Sequence, residues 1–239
     1  MSSNKFTILS TRPLSRDIIE AAAVKNVSIE EIEFITTEAI TDAETLATIK
    51  TYVDHNATVI FTSMNAVEAV AAQAKIVPEW RVYSMGNTTK NLVNKYFGDF
   101  IIDTGHDATD LANAIIANNE QEVVFFCGDK RRDELPETLS RNNISIKDVI
   151  VYKTIALDKI ISKQYDGILF YSPSAVESFF KNNTINNETV MFAIGDTTAA
   201  TIREHTSNSI IVSDDAGKEK LVEKAISFYQ NRIGKKLFN

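Results

Sequence analysis

The residues of this chain best suited to chemistry are hydroxyls grouped with glycines. They are Thr11, Thr62 with Ser63, Thr88 with Thr89, Ser172 with Ser174, and Thr197 with Thr198, beside Gly86, Gly128 and Gly195. A hydroxyl just ahead of a helix, together with the helix's first free N–H groups and the positive end of its dipole, suits a phosphate or a carboxylate. A glycine in the same turn leaves the backbone open to close approach. Asn65 adds an amide to one of these turns, and Arg12 and Arg131 stand in two others as anion anchors or as ordinary solvated charges. Tyr152 alternates out of the run VIVYKTI and is either a packing residue or a phenol turned towards a ligand. The chemistry in view is recognition of an anion by many modest donors.

Other chemistries lack their residues. No Gly-x-Gly-x-x-Gly follows a predicted strand, and no Walker lysine loop occurs. His55, His106 and His205 fall outside the predicted strand-end turns, so neither a metal site nor a His-based triad is expected. Cys127, within VVFFC, reads as a buried structural thiol. No cofactor is expected. Ser, Thr and Asn ahead of helices are also ordinary N-caps, and what favours binding is recurrence. Gly-x-Thr-Thr occurs at Gly86 and at Gly195, and Ser-x-Asn/Ser at Ser63 and at Ser172.

That recurrence belongs to a longer repeat. VIFTSMNAVEAV, from Val59, and GILFYSPSAVESFF, from Gly167, pair Phe61 with Phe170, Ser63 with Ser172 and Asn65 with Ser174. The same offset carries across a loop to pair Gly86, Thr88 and Thr89 with Gly195, Thr197 and Thr198. Each copy reads as a short apolar strand, a helix opening on Asn65 or Ser174, a second strand, then Gly-x-Thr-Thr and another helix, the unit of a parallel sheet. A looser likeness joins FTILSTRPLSRDI, from Phe6, to VVFFCGDKRRDEL, from Val123, each a strand, a basic turn and a helix. The chain thus reads as an internal duplication. The remaining helices are expected over about 14–25, 42–54, 106–118 and 217–233, with extended connectors at 35–40 and 149–155 and a frayed tail from Gly234.

Bulk properties agree. The 239 residues, 44% hydrophobic with 8 Gly and 4 Pro, suit two domains that each bury a core. A net charge of −7 without a basic block disfavours nucleic acid as a partner. The opening MSSNKFTILSTRP lacks the apolar core of a signal peptide, and no run reaches membrane-spanning length, so a cytoplasmic location with no membrane partner is expected.

These residues resemble the uroporphyrinogen-III synthase family over nearly the whole chain. The likeness rests on TRP at Thr11, FTSMNAVEA at Phe61, GDKRRDELPETL at Gly128, VYKT at Val151, FYSPSAVESF at Phe170 and IGDTTAATI at Ile194. Tyr171, Lys130 and the looser GNTTKNL depart from the family pattern. The resemblance implies two similar parallel-sheet, flavodoxin-like α/β lobes that exchange their opening segments. One lobe comprises 1–34 with 155–239 and the other 38–150, joined by a two-stranded hinge at 35–37 and 151–154. It implies a monomeric, cofactor-free enzyme that closes hydroxymethylbilane with inversion of ring D through a spirocyclic intermediate, losing water. Thr11, Arg12, Thr62, Ser63, Asn65, Gly86, Thr88, Gly128, Arg131, Ser172, Ser174, Gly195, Thr197 and Thr198 would bind the substrate's carboxylates, and Tyr152 would be the assisting acid. The alternative is a non-catalytic two-lobed protein that holds another small anion on the same fold.

Overall fold

The computed structural model describes residues 6–86, 88–214 and 217–237, with side chains through Arg232. In chain order the elements are β1 (Phe6–Ser10), α1 (Arg16–Val24), β2 (Val27–Glu31), β3 (Ile35–Ala39), α2 (Ala43–Val53), β4 (Ala57–Phe61) and α3 (Met64–Ala71). Next come β5 (Trp80–Met85), α4 (Thr88–Phe97), β6 (Ile101–Gly105), α5 (Ala108–Ala117), β7 (Glu122–Gly128), α6 (Glu134–Arg141) and β8 (Ser145–Ala156). β9 (Gly167–Phe170), α7 (Pro173–Asn182), β10 (Val190–Ala193), α8 (Asp196–His205), β11 (Ile210–Val212) and α9 (Lys218–Leu237) complete it. The chain divides into two compact units, one of residues 1–36 with 156–239 and the other of residues 37–155.

The first unit holds a five-stranded sheet ordered β11-β10-β9-β1-β2, whose pairs are parallel. The second holds a six-stranded sheet ordered β3-β8-β7-β4-β5-β6, in which β4, β5, β6, β7 and β8 pair in parallel. The repeat is visible in both, because β4-α3-β5-α4 and β9-α7-β10-α8 occupy matching positions. β1 pairs with β9, and β7 pairs with β4.

Each sheet is buried on both faces, which is why its central strands are continuous apolar runs. In the second unit Phe61, Trp80, Phe97 and Phe126 pack on one face, with Phe61 stacked at 5.6 Å on Phe97 and at 5.4 Å on Phe126. Ile60, Tyr83, Leu111 and Phe125 fill the other face. In the first unit Phe170 and Phe179 anchor one face, and Ile8, Phe192 and Tyr229 the other. Few glycines are needed because asparagine turns several helices back to strands. Asn26, Asn119 and Asn143 adopt φ of 60°, 55° and 60° just after α1, α5 and α6. Asparagine tolerates this left-handed conformation better than most residues.

Three sequence expectations shift. α3 and α7 open on Ser63 and Ser172, not on Asn65 and Ser174, because each serine hydroxyl accepts a first-turn N–H, from Asn65 at 3.2 Å and from Ala175 at 3.2 Å. The extended stretch at 149–155 is the later part of a 12-residue strand. The tail from Gly234 is helical to Leu237, while Phe238 and Asn239 lie outside the described residues. Among the described residues no helix is long and apolar enough to cross a membrane.

One polar cluster ties down the second unit at the opposite edge from its strand-end turns. The Glu120 carboxylate accepts from Arg81 Nε at 3.0 Å and Nη2 at 2.6 Å, from Tyr83 Oη at 2.8 Å and from Thr58 Oγ1 at 3.1 Å. Burial alone would raise its pKa, yet these donors hold it below the usual carboxylate range. Glu120→Gln puts an amide donor among those donors and should cost about 1–2 kcal/mol. Because the folded pKa is depressed, the cluster's contribution is full above the unfolded glutamate pKa and is lost as pH falls through the folded one. Urea unfolding followed on Trp80, the chain's single tryptophan, checks both points in this unit; an unchanged midpoint would contradict them.

Candidate functional site

In a parallel sheet ligands bind beyond the carboxyl ends of the strands, where loops lead into helix starts. In the first unit this rim carries Ser10 at the end of β1, Thr11 and Arg12 after it, Tyr171 and Ser172 after β9, and Gly195 after β10. Thr11 is 1% exposed, and its hydroxyl donates to the Leu169 carbonyl at 2.8 Å, so it fastens β1 to β9 and offers no donor to a surface ligand. Arg12 lies with its guanidinium carbon 5.9 Å from the centre of the Tyr171 ring. Burial lowers its pKa, while Tyr171 and Glu33 act to raise it. The Ser10 hydroxyl donates to the Arg12 carbonyl at 2.6 Å, and Oη of Tyr171 lies 3.4 Å away. Burial pushes the Tyr171 phenol up to about 12.

The start of α8 leaves its backbone open. Its N-cap, Gly195, supplies no capping side chain, and no described residue lies within 4 Å of where a Cβ would stand. Thr197 is exposed on the first turn, as is Asp196, whose carboxylate offsets part of the helix dipole. Thr198 is 1% exposed, and its hydroxyl has no hydrogen-bond partner among the described residues. Ser172 caps α7 and Ser174 sits half-buried in its first turn.

In the second unit the rim carries Thr62 and Ser63 after β4, Gly86 after β5 and Gly128 at the end of β7. Ser63 caps α3, with Thr62 and Asn65 half-buried on either side. The Gly86 N–H donates to the Gly105 carbonyl at 2.9 Å, and Thr88 is the exposed first residue of α4. Asn87, between them, lies outside the described residues. Tyr152 is half-buried. Burial raises its pKa, and the neighbouring Ser63 hydroxyl opposes that rise.

Two expected binding residues are engaged otherwise. Arg131 pairs with Asp133 at 2.5 Å and with Asp148, so its guanidinium is neutralised within the unit and is no free anion anchor. Gly128 does not leave its backbone open, because the Tyr152 ring fills the space where a side chain would be. Cys127 is 1% exposed, and burial above all pushes its thiol up to about 12, the behaviour of a structural cysteine.

Sequence reasoning passed over Lys218 and Tyr171. Lys218 opens α9, where a cation opposes the helix dipole, and that mismatch was the available signal. Although the residue is exposed overall, lost hydration and then the Arg12 guanidinium lower its pKa. Among the described residues neither Arg12 nor Lys218 makes an ion pair. The first unit's rim therefore offers positive charge, an uncapped helix start and an unpartnered hydroxyl, a combination suited to carboxylates. A cavity of about 800 Å³ lies at the other edge of the second unit, beside Tyr52, His55, Trp80 and Phe100. Arg81, which also lines it, is held by Glu120, so the cavity lacks a free anion anchor.

Comparison with known proteins gives a concordant result. Residues 19–223 match the model of a family described as uroporphyrinogen-III synthase HemD. The uroporphyrinogen-III synthase of Saccharomyces cerevisiae is 25% identical over 226 residues, covering 77% of this chain and 80% of that protein. The fold is shared with the uroporphyrinogen-III synthetase of Helicobacter pylori 26695, at TM-score 0.66 and 15% identity over 93% of this chain and 99% of that one. It is shared also with a mutant uroporphyrinogen III synthase of Thermus thermophilus, at TM-score 0.64 and 13% identity over 97% of this chain and 99% of that one.

Proposed function

The chain belongs to the uroporphyrinogen-III synthase family, and from that premise we propose that its strand-end rims hold the carboxylates of hydroxymethylbilane while the Tyr152 phenol assists departure of the terminal hydroxide. The reaction needs little chemical force. Once the terminal carbon has lost its hydroxide as water, an unguided bilane closes head to tail. Formation of the inverted ring requires attack instead by the substituted carbon of ring D, then fragmentation of the spirocyclic product and reclosure. A ~100-fold preference for that route corresponds to about 2.7 kcal/mol of differential transition-state stabilisation. Positioning of the acetate and propionate arms can supply it.

The observation that carries the binding half of this reading is the start of α8. Among the described residues its first-turn N–H groups have no side-chain cap, nothing lies within 4 Å of a Cβ at Gly195, and the buried Thr198 hydroxyl has no partner. An unsatisfied buried hydroxyl costs about 1–3 kcal/mol, which a ligand oxygen reaching it would recover. Arg12 and Lys218 add charge to the same unit, and Ser63, Thr62 and Thr88 supply the donors of the other. Each rim is built from one chain, so a monomer suffices.

Thr198→Val tests this with effects of opposite sign. It keeps the volume and removes the unpaired hydroxyl, so the free protein should be as stable as before or slightly more so. Affinity for the bilane should fall several-fold. With Ser172→Ala added, the fall should reach tens-fold, because many modest hydrogen bonds of about 0.5–1.5 kcal/mol share the load. Unchanged KM and unchanged turnover in the double variant would reduce this rim to helix capping.

A further inference from the structure

The residues around Gly128 give Tyr152 more order than a merely packing tyrosine needs. β7 and β8 run in register from Glu122 with Ser145 to Cys127 with Ile150, and then slip so that Gly128 faces Tyr152. Val151 is the extra residue of this bulge. Successive side chains of a strand alternate between faces, yet Val149, Val151 and Tyr152 all pack against the same core cluster. The slip has turned the tyrosine to the face it would otherwise leave, and re-aiming one side chain beside a site is a recurrent use of bulges.

Two further contacts fix the result. A Cβ on Gly128 would stand 2.7 Å from the phenol oxygen and nearer still to Cζ, so the ring rests directly on the glycine backbone. Gly128 has no positive φ, and what this position requires is the absence of a side chain, not backbone freedom. Beyond it, the Asp129 N–H donates to the Tyr152 carbonyl at 3.1 Å, and the Thr154 N–H donates to Asp129 Oδ1 at 2.8 Å. Asp129 therefore grips β8 on both sides of Lys153.

We propose that Gly128 and Asp129 are positioning residues for the Tyr152 phenol, the glycine as the seat of its ring and the aspartate as the clamp on its backbone. This rests on the reading of Tyr152 as the assisting acid. The chemical step is unchanged: the phenol O–H gives its proton to the departing hydroxide oxygen as the carbon–oxygen bond breaks and its electron pair stays on oxygen, leaving water, a substrate cation and a phenolate that takes back the proton the cyclised cation loses. The seat sets where that proton is presented.

Gly128→Ala must displace the ring, and the atoms in its way are the far end of a flexible side chain, so the fold is expected to survive. The variant should lower kcat about 10-fold with KM within 2-fold, and in a Tyr152→Phe background it should have no further effect on kcat. If Gly128→Ala keeps full kcat while Tyr152→Phe is slow, or if the two losses multiply, the positioning proposal fails and the reading of Tyr152 stands. If Tyr152→Phe itself keeps full rate, the acid reading fails, and the seat is then judged from the phenol directly. In protein carrying [13Cζ]tyrosine, the signal absent from Tyr152→Phe should shift in Gly128→Ala, and an unmoved signal overturns the proposal. Should Gly128→Ala not fold, Asp129→Ala, which leaves the seat intact, carries the same tests, with a several-fold loss of kcat expected.

Discussion

Gly195→Trp should raise the KM for hydroxymethylbilane by 100-fold or more, or abolish formation of the type III product altogether, without unfolding the protein. The backbone at Gly195 has φ −175°, an extended conformation that any residue adopts. No described residue lies within 4 Å of the position its Cβ would take. A side chain can therefore start there without a clash at its first carbon, and an indole at this N-cap is expected to obstruct the approach to the α8 first-turn N–H groups. Two hydrogen bonds to a charged group, at about 1.5–3 kcal/mol each, correspond to a loss of this size. The melting temperature separates the cases, because a structural glycine would show a fall in stability, and this site should not. Normal turnover by Gly195→Trp would remove the helix start from the binding site.

Tyr152→Phe comes next in expected effect, a fall of about 100-fold in the rate of type III formation, the lower end for a positioned general acid acting on a group that leaves easily. Phenylalanine keeps the ring on its Gly128 seat and deletes the donor. The pH profile adds a second check. Burial above all raises the phenol pKa, so the donor stays protonated through neutrality and past the ordinary tyrosine value near 10. The wild-type advantage over Tyr152→Phe should thus be flat from about pH 6 to 9. A full rate in the variant, or an advantage that vanishes below pH 9, would assign the proton to water.

The sequence carried the fold further than it carried the site. Duplication was legible because identical turns, Ser63 with Ser172 and Gly86 with Gly195, recur at one offset. The α/β class was legible because strands such as Val123–Cys127 are buried on both faces and read as unbroken apolar runs. The cap positions were not, since Asn65 and Ser174 are as competent as Ser63 and Ser172, and which of them caps depends on how the strand ends. The pairing of β1 with β9 leaves no local trace, because any apolar strand satisfies either neighbour.

For the site, residue type was readable and orientation was not. Thr11 and Thr197 look alike in sequence, yet one hydroxyl is spent on the Leu169 carbonyl while the other residue is exposed. Arg131 looked like an anchor because Asp148, its partner, lies on a strand distant in sequence. Gly128 looked like room for a ligand, and the room is used by Tyr152, a relation that needs the β7–β8 bulge to exist.

If this chain steers ring closure, the isomer ratio of its product shows it. Hydroxymethylbilane is incubated with the purified chain and with buffer, the products are oxidised, and type III and type I uroporphyrins are separated. Mostly type III is expected with the protein, at a rate proportional to its concentration, and type I in the blank. Type I alone at the blank rate, from a protein that still binds the bilane, would show a two-lobed anion-binding protein that does not steer closure.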